Sequence, residues 1–157
     1  LERAVVELLS KNGLSITAAE SCTGGLVCGK IVNVAGASEV FRGGYITYSN
    51  KQKRNVIGVK KSTLEKYGAV SEQVAAEMAK GVLEVSKADV AISTTGIAGP
   101  GGGTPEKPVG LVYIGCAVKN KVYVEKFNFS GSRNKVREST VVAALSMVRK
   151  YVSSEYN

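Results

Sequence analysis

Ala88-Asp89-Val90-Ala91-Ile92-Ser93-Thr94-Thr95-Gly96-Ile97-Ala98-Gly99-Pro100-Gly101-Gly102-Gly103-Thr104-Pro105-Glu106-Lys107-Pro108-Val109-Gly110-Leu111 sets the architecture of this chain. Its first part, Ala88 to Thr94, is a short apolar run, the mark of a strand buried on both faces. A second such run spans Val109 to Val118. Between them fall all three prolines of the protein. A loop so rich in Gly and Pro is neither helix nor central strand. Long ordered loops between core strands are uncommon and tend to be functional. Glycine also lets backbone N–H groups approach a ligand closely.

Reading outward from that strand, helices and strands alternate. Upstream, residues 1–11 form a helix with Leu1, Val5, Leu8 and Leu9 on one side, stopped by Asn12-Gly13. Leu14 to Ala19 is a strand and Leu26 to Val34 a helix, broken at Ala35-Gly36-Ala37-Ser38. Tyr45 to Ser49 is a second strand. Lys51 to Ile57 is a short helix ending at Gly58. Ser62-Thr63-Leu64-Glu65 is a capping-box pattern opening another helix. Ser71 caps a long one in which Val74, Met78, Val82 and Val85 recur every three or four residues. Downstream, Leu111–Val118 and Val122–Phe129 form a hairpin turning at Lys119-Asn120-Lys121. A last helix follows, with Val136, Thr140, Ala144, Met147 and Tyr151 on one stripe. The pattern predicts a single α/β domain over residues 1–157, a three-layer α/β/α sandwich with a mixed sheet.

Composition narrows the chemistry. There is no histidine, which excludes Ser-His-Asp and Cys-His catalysis and imidazole proton shuttling. Three cysteines, Cys22, Cys28 and Cys116, are too few and wrongly spaced for a zinc site, and their odd number fits a reducing compartment. With neither an evident signal peptide nor an apolar run of membrane-spanning length, the expected location is the cytoplasm. The net charge of +8 points to an anionic partner, a small phosphate compound or a nucleic acid.

Several predicted strands end in small polar residues, at Glu20-Ser21-Cys22-Thr23-Gly24-Gly25, Thr47-Tyr48-Ser49-Asn50-Lys51 and Thr94-Thr95-Gly96. In open α/β sheets, ligands bind outside the carboxyl ends of the strands. None of these is a Walker A loop or a Gly-x-Ser-x-Gly elbow. Without histidine, a hydrolase built here would use serine with lysine as base. Lys51, directly after a strand end, is the candidate; its bland alternative is a solvent-facing first-turn lysine.

The runs Ala19-Glu20-Ser21-Cys22-Thr23-Gly24-Gly25, Thr47-Tyr48-Ser49-Asn50, Gly68-Ala69-Val70-Ser71, Gly96-Ile97-Ala98-Gly99-Pro100 and Lys107-Pro108-Val109-Gly110 occur in this order. Together with Phe129-Ser130-Gly131-Ser132-Arg133 they closely resemble the CinA C-terminal domain family of nicotinamide-nucleotide amidases, over essentially the whole chain. The resemblance implies hydrolysis of the carboxamide of nicotinamide mononucleotide, giving nicotinate mononucleotide and ammonia in bacterial pyridine nucleotide salvage. It implies no metal, no cofactor and a homodimer, with neither membrane nor nucleic acid as partner. It assigns Ser38 as nucleophile, Lys51 as base and Tyr48 as the orienting tyrosine, with Ser21 as the rival nucleophile. Ser21, Thr95, Gly96, Arg133, Glu20 and Ala37 make up the expected substrate-binding set, Arg133 lying near the substrate phosphate. Ala37 departs from the family pattern, in which a second serine stands there. The alternative function is a catalytically silent nucleotide-binding accessory domain of a longer protein.

Overall fold

The computed structural model describes residues 1–156. Five strands form one sheet in the order β2-β1-β3-β4-β5. They are β1 Ile16–Glu20, β2 Tyr45–Ile46, β3 Val90–Gly96, β4 Leu111–Val118 and β5 Lys121–Asn128. β1 runs parallel to β2 and β3, while β4 is antiparallel to both β3 and β5. The sheet is therefore mixed, as the sequence pattern predicts.

Six α-helices cover its faces: α1 Glu2–Lys11, α2 Leu26–Val32, α3 Asn50–Ile57, α4 Lys61–Tyr67, α5 Glu72–Ser86 and α6 Arg133–Tyr156. Helices α1, α2 and α6 pack Val5, Leu9, Val27, Ile31, Leu145 and Val148 against Ile92 and Ile114 of the sheet. Helices α3, α4 and α5 pack Ile57, Leu64, Val74, Met78 and Val82 against Ala91 and Ala117 on the other side. Successive residues of a strand face opposite sides. Ala91 and Ile92 thus serve the two cores, which is why β3 reads as an unbroken apolar run. Each fully buried aliphatic side chain contributes roughly 2 kcal/mol.

Local differences from the sequence reading have physical causes. β2 stops at Ile46 because Ser49 turns away to cap α3, its hydroxyl accepting from Gln52 N. α4 starts at Lys61 without a side-chain cap, so the Ser62 capping box does not form. Glu77 of α5 does that work instead, accepting from Lys60 N and Thr63 Oγ1. Val85, expected on the α5 core stripe, is 48% exposed, because α5 overruns its packing surface. The hairpin turns on two residues rather than three: Lys119 and Asn120 both have positive φ, the geometry of a two-residue turn.

One contact fixes α3 against α5. Gly81 lies inside α5, where glycine is less favourable than alanine by about 1 kcal/mol. A Cβ there would overlap the carbonyl oxygen of Ile57, so the glycine lets the C-terminus of α3 rest directly on α5. Gly81→Ala should lower the melting temperature, since the steric overlap exceeds the gain in helix propensity. A rise in melting temperature would show that the two helices separate freely.

The order of connections defines where a ligand fits. From β1 the chain crosses to β2 through α2, then from β2 to β3 through α3, α4 and α5 on the opposite face. The chain thus moves outward on one side of β1 and returns on the other. The crevice at the carboxyl ends of β1 and β3 is a topological switch point, the usual ligand position of such sheets.

Candidate active site

Glu20, the last residue of β1, is completely buried. Its Oε1 accepts from Thr23 Oγ1 (2.5 Å), Gly25 N (3.1 Å) and Val27 N (2.9 Å), and its Oε2 from Cys28 N (2.9 Å). The first turn of a helix leaves N–H groups without partners, and a carboxylate satisfies both them and the helix dipole. Glu20 therefore anchors α2 to the sheet. Expected in the substrate-binding set, Glu20 instead spends its carboxylate on these four donors and is not among the residues lining the cleft at Ser21. Glu20→Ala should destabilise the fold by on the order of 3 kcal/mol, because several buried donors lose their acceptor. A melting curve unchanged from wild type would contradict that role.

The anchored turn presents Ser21. Its N–H donates to the Thr94 carbonyl of β3 at 3.1 Å, and its hydroxyl lies 3.3 Å from the Tyr48 carbonyl. Lys53 completes the group, its Nζ donating to Ser21 Oγ at 2.9 Å and to the Tyr48 carbonyl at 2.8 Å. Lys53 is only 1% exposed. Burial pulls its ammonium down from 10.5 to about 8, a weak pull from the Cys22 thiol acting in the opposite sense. None of the ion pairs among the described residues includes it. Near neutral pH, a fraction of the molecules holds an uncharged amine against the serine hydroxyl. That is the requirement for a lysine base beside a serine nucleophile. Cys22, next in the chain, is no rival, since burial pushes its thiol up to about 11.

The pairing expected between Ser38 and Lys51 does not form. Ser38 sits in the 3-10 turn Ala37–Glu39. That turn leads to Val40, whose carbonyl accepts from Ile16 N at the amino end of β1. Ser21 follows the carboxyl end, so the strand, about 16 Å long by its five residues, lies between them. Ala37 shares that remote turn and does not line the cleft at Ser21. Lys51 is exposed on the outer side of α3. Lys51 and Lys53, two residues apart, are about 200° apart around a helix. Lys53 and Ile57, four apart, share the face that packs inward. Counting back from Ile57 by one helical turn was the signal in the sequence that identifies Lys53.

The other expected residues surround Ser21. Tyr48, Thr95, Gly96 and Arg133 line a cleft of about 240 Å³ together with Ser21 and Lys53. Thr95 donates its hydroxyl to the Ala69 carbonyl, tying the loop before α5 to the rim of the cleft. Arg133 donates Nη1 to the Gly99 carbonyl at 2.7 Å, holding the Gly-rich loop beside the opening. Tyr48 is 61% exposed, with its carbonyl engaged and its ring free. Asn50, Cys22, Ala69, Val70 and Ala98 complete the lining and were absent from the sequence-based set. Two cations and no carboxylate border the cleft, which suits an anionic ligand. Among the described residues no cluster of Cys, Asp or Glu is placed to hold a metal ion, and no helix is long and apolar enough to cross a membrane.

A family model of the CinA C-terminal domain matches residues 1–152. The chain belongs to the CinA C-terminal domain family. It is 57% identical over 150 residues to a CinA-like protein of Kosmotoga olearia, covering 96% of this chain and 36% of that protein. The chain thus spans little more than a third of the length of the curated relatives it matches. Among solved structures, the competence/damage inducible protein CihA of Agrobacterium tumefaciens superposes with a TM-score of 0.93 at 42% identity, covering 95% of this chain and 92% of that one. A CinA superfamily protein of Escherichia coli does so with a TM-score of 0.93 at 34% identity, over 96% and 87% of the two chains. The three-layer α/β architecture is that of the family.

Proposed function

We propose that this CinA domain is a metal-independent amidohydrolase acting on the carboxamide of nicotinamide mononucleotide, with Ser21 as nucleophile and Lys53 as base. The observation that carries the reading is the 2.9 Å contact between Ser21 Oγ and the Nζ of a buried lysine in a cationic cleft. Lys53 Nζ, once it has lost one proton, keeps a donor for the Tyr48 carbonyl and turns its lone pair to the serine hydroxyl. Ser21 Oγ then bonds to the carboxamide carbon as its proton passes to Nζ. The backbone N–H of Cys22, the residue after the nucleophile, donates to no backbone carbonyl among the described residues and is the donor proposed for the oxyanion. Collapse of the adduct breaks the C–N bond, the nitrogen takes the proton from Lys53, and ammonia leaves. Water, activated by the same amine, resolves the ester and regenerates Ser21.

Arg133 is the group proposed for the phosphate, since its guanidinium is only partly used by Gly99. Arg133→Ala should raise KM for the mononucleotide at least tenfold while changing kcat/KM for the riboside little. Equal loss on both would remove the phosphate from Arg133.

Ammonia release from nicotinamide mononucleotide by the purified chain tests the function. Turnover is expected, and its kcat/KM should rise with pH through about 8 as Lys53 becomes neutral. Nucleotide binding without any turnover would make this a silent binding domain of a longer protein.

A further inference from the structure

The cleft contains a buried cation without a counter-ion. Lys53 is 1% exposed and is one of the residues lining the cleft. An ammonium carries three N–H donors. Two of them have acceptors, Ser21 Oγ and the Tyr48 carbonyl, both uncharged. Among the described residues Nζ has no third acceptor, and no Asp or Glu lines the cleft. Glu20, beside Ser21 in the chain, is committed to the donors of its own turn and of α2. The other titratable or charged groups at the cleft are the Cys22 thiol, pushed up to about 11 by burial, the exposed Tyr48 phenol and Arg133 of α6. α5 meets α3 through Gly81 and apolar side chains, its Glu77 being bonded to Lys60 and Thr63. Lys51 and Arg54 of α3 itself are exposed. A buried charge is costly until it is paired. A ligand that brings a carboxylate to Ser21 therefore gains a charge-assisted bond that no group of the chain competes for.

The proposed reaction makes such a ligand. Its substrate carries a neutral carboxamide, and its product a carboxylate on the same carbon. In the second half of the reaction water adds to the ester and gives one proton to Lys53 Nζ. Collapse breaks the bond from that carbon to Ser21 Oγ, which takes the proton back. A carboxylic acid then stands beside a neutral amine. The acid is stronger than an ammonium ion by several powers of ten, so its proton passes to Nζ and a carboxylate faces an ammonium. Each turnover thus ends with the base protonated and paired to product. On the amidase reading above, we infer that the cleft is a carboxylate-binding site, in which Lys53 holds the reaction's own product in preference to the amide and so makes the product an inhibitor until Lys53 gives up its proton.

Calorimetric titration of Ser21→Ala with each mononucleotide compares the two ligands without turnover. Nicotinate mononucleotide should bind about tenfold or more tightly than the amide at pH 7.5. Its Kd should rise about twentyfold from pH 7.5 to pH 9.5, as Lys53, lowered to about 8 by burial, loses its proton. The Kd of the amide should change less than about threefold. At pH 8.5, titrations in two buffers of different ionisation enthalpy should show most of one proton taken up with the product and none with the amide. Arginine stays charged throughout this range, so these readouts report Lys53 and not Arg133. Lys53→Met should bind the two ligands within about twofold of each other at either pH. A carboxylate preference that survives in Lys53→Met would place the anion on Arg133 and overturn the inference. Equal affinity of Ser21→Ala for the two ligands, without proton uptake, would overturn it too, while turnover of the amide by wild type would still uphold the amidase. If neither ligand binds Ser21→Ala or wild type, the proposed function and the inference fall together. Should Ser21→Ala not fold, wild type titrated with nicotinate mononucleotide decides alone, and a Kd that does not rise towards pH 9.5 overturns the inference.

Discussion

Ser21→Ala should remove ammonia release almost completely, by on the order of 10⁶-fold in kcat, while leaving the fold intact. The substitution deletes one hydroxyl whose contacts are Lys53 Nζ and the Tyr48 carbonyl. Both partners keep each other at 2.8 Å, so no buried group is left without a bond. The anchoring of the turn runs through the backbone of residue 21 and through Glu20, and alanine preserves both. The melting temperature should therefore stay within about 2 °C of wild type. Ser38→Ala, made in parallel, should leave turnover within about twofold, because Ser38 is exposed in a turn at the far end of β1. Loss of activity in Ser38→Ala with the fold preserved would return the nucleophile to that turn.

Lys53→Met should be inactive and more stable. The side chain is almost fully buried and its ammonium is lowered from 10.5 to about 8, chiefly by burial. The folded pKa lies below the unfolded one, so the folded state binds fewer protons between the two values and stability rises with pH there. Burying the charge weakens wild type fully below about pH 8 and not at all above about pH 10.5. At 1.36 kcal/mol per pH unit the penalty is about 3 kcal/mol. Methionine is similar in length and carries no charge to desolvate. Its advantage should be largest at pH 7 and shrink from pH 8 towards 10.5. Denaturant unfolding at pH 7 and pH 10 measures it. A Met variant less stable than wild type at pH 7 would mean that the two hydrogen bonds of Lys53 outweigh its desolvation. Lys51→Met, on the exposed side of α3, should change neither stability nor turnover appreciably.

These two residues show how far the sequence could be read. The sheet was legible because β3 is buried on both faces and so spells an apolar run, and because glycine and proline punctuate the loop after it. Ser71 capping α5 and Gly58 closing α3 were legible because each is a local requirement of backbone geometry. The candidate cleft was legible as a set of motifs, and Tyr48, Thr95, Gly96 and Arg133 do converge at Ser21. The lysine that meets Ser21 was not, because adjacency in sequence was taken for adjacency in space. A lysine two positions into α3 looks nearer to Tyr48 than one four positions in, yet the helix turns the first outward and the second under the strand ends. Ser38 failed for the opposite reason: its turn is close in sequence to α2 and β2, but the chain returns there to the amino end of β1 before entering β2. Glu20 looked like a site carboxylate because nothing local reveals that four donors, spread over the six residues from Thr23 to Cys28, converge on it.

Position of the acyl group is the most direct test of the central claim. The chain is mixed with nicotinamide mononucleotide above pH 8, quenched in acid within the first turnover, digested and mapped by mass. The nicotinate mononucleotide acyl mass is expected as an ester on the peptide containing Ser21, absent in Ser21→Ala and in Lys53→Met. The same mass on the peptide containing Ser38, with Ser21 unmodified, would contradict it.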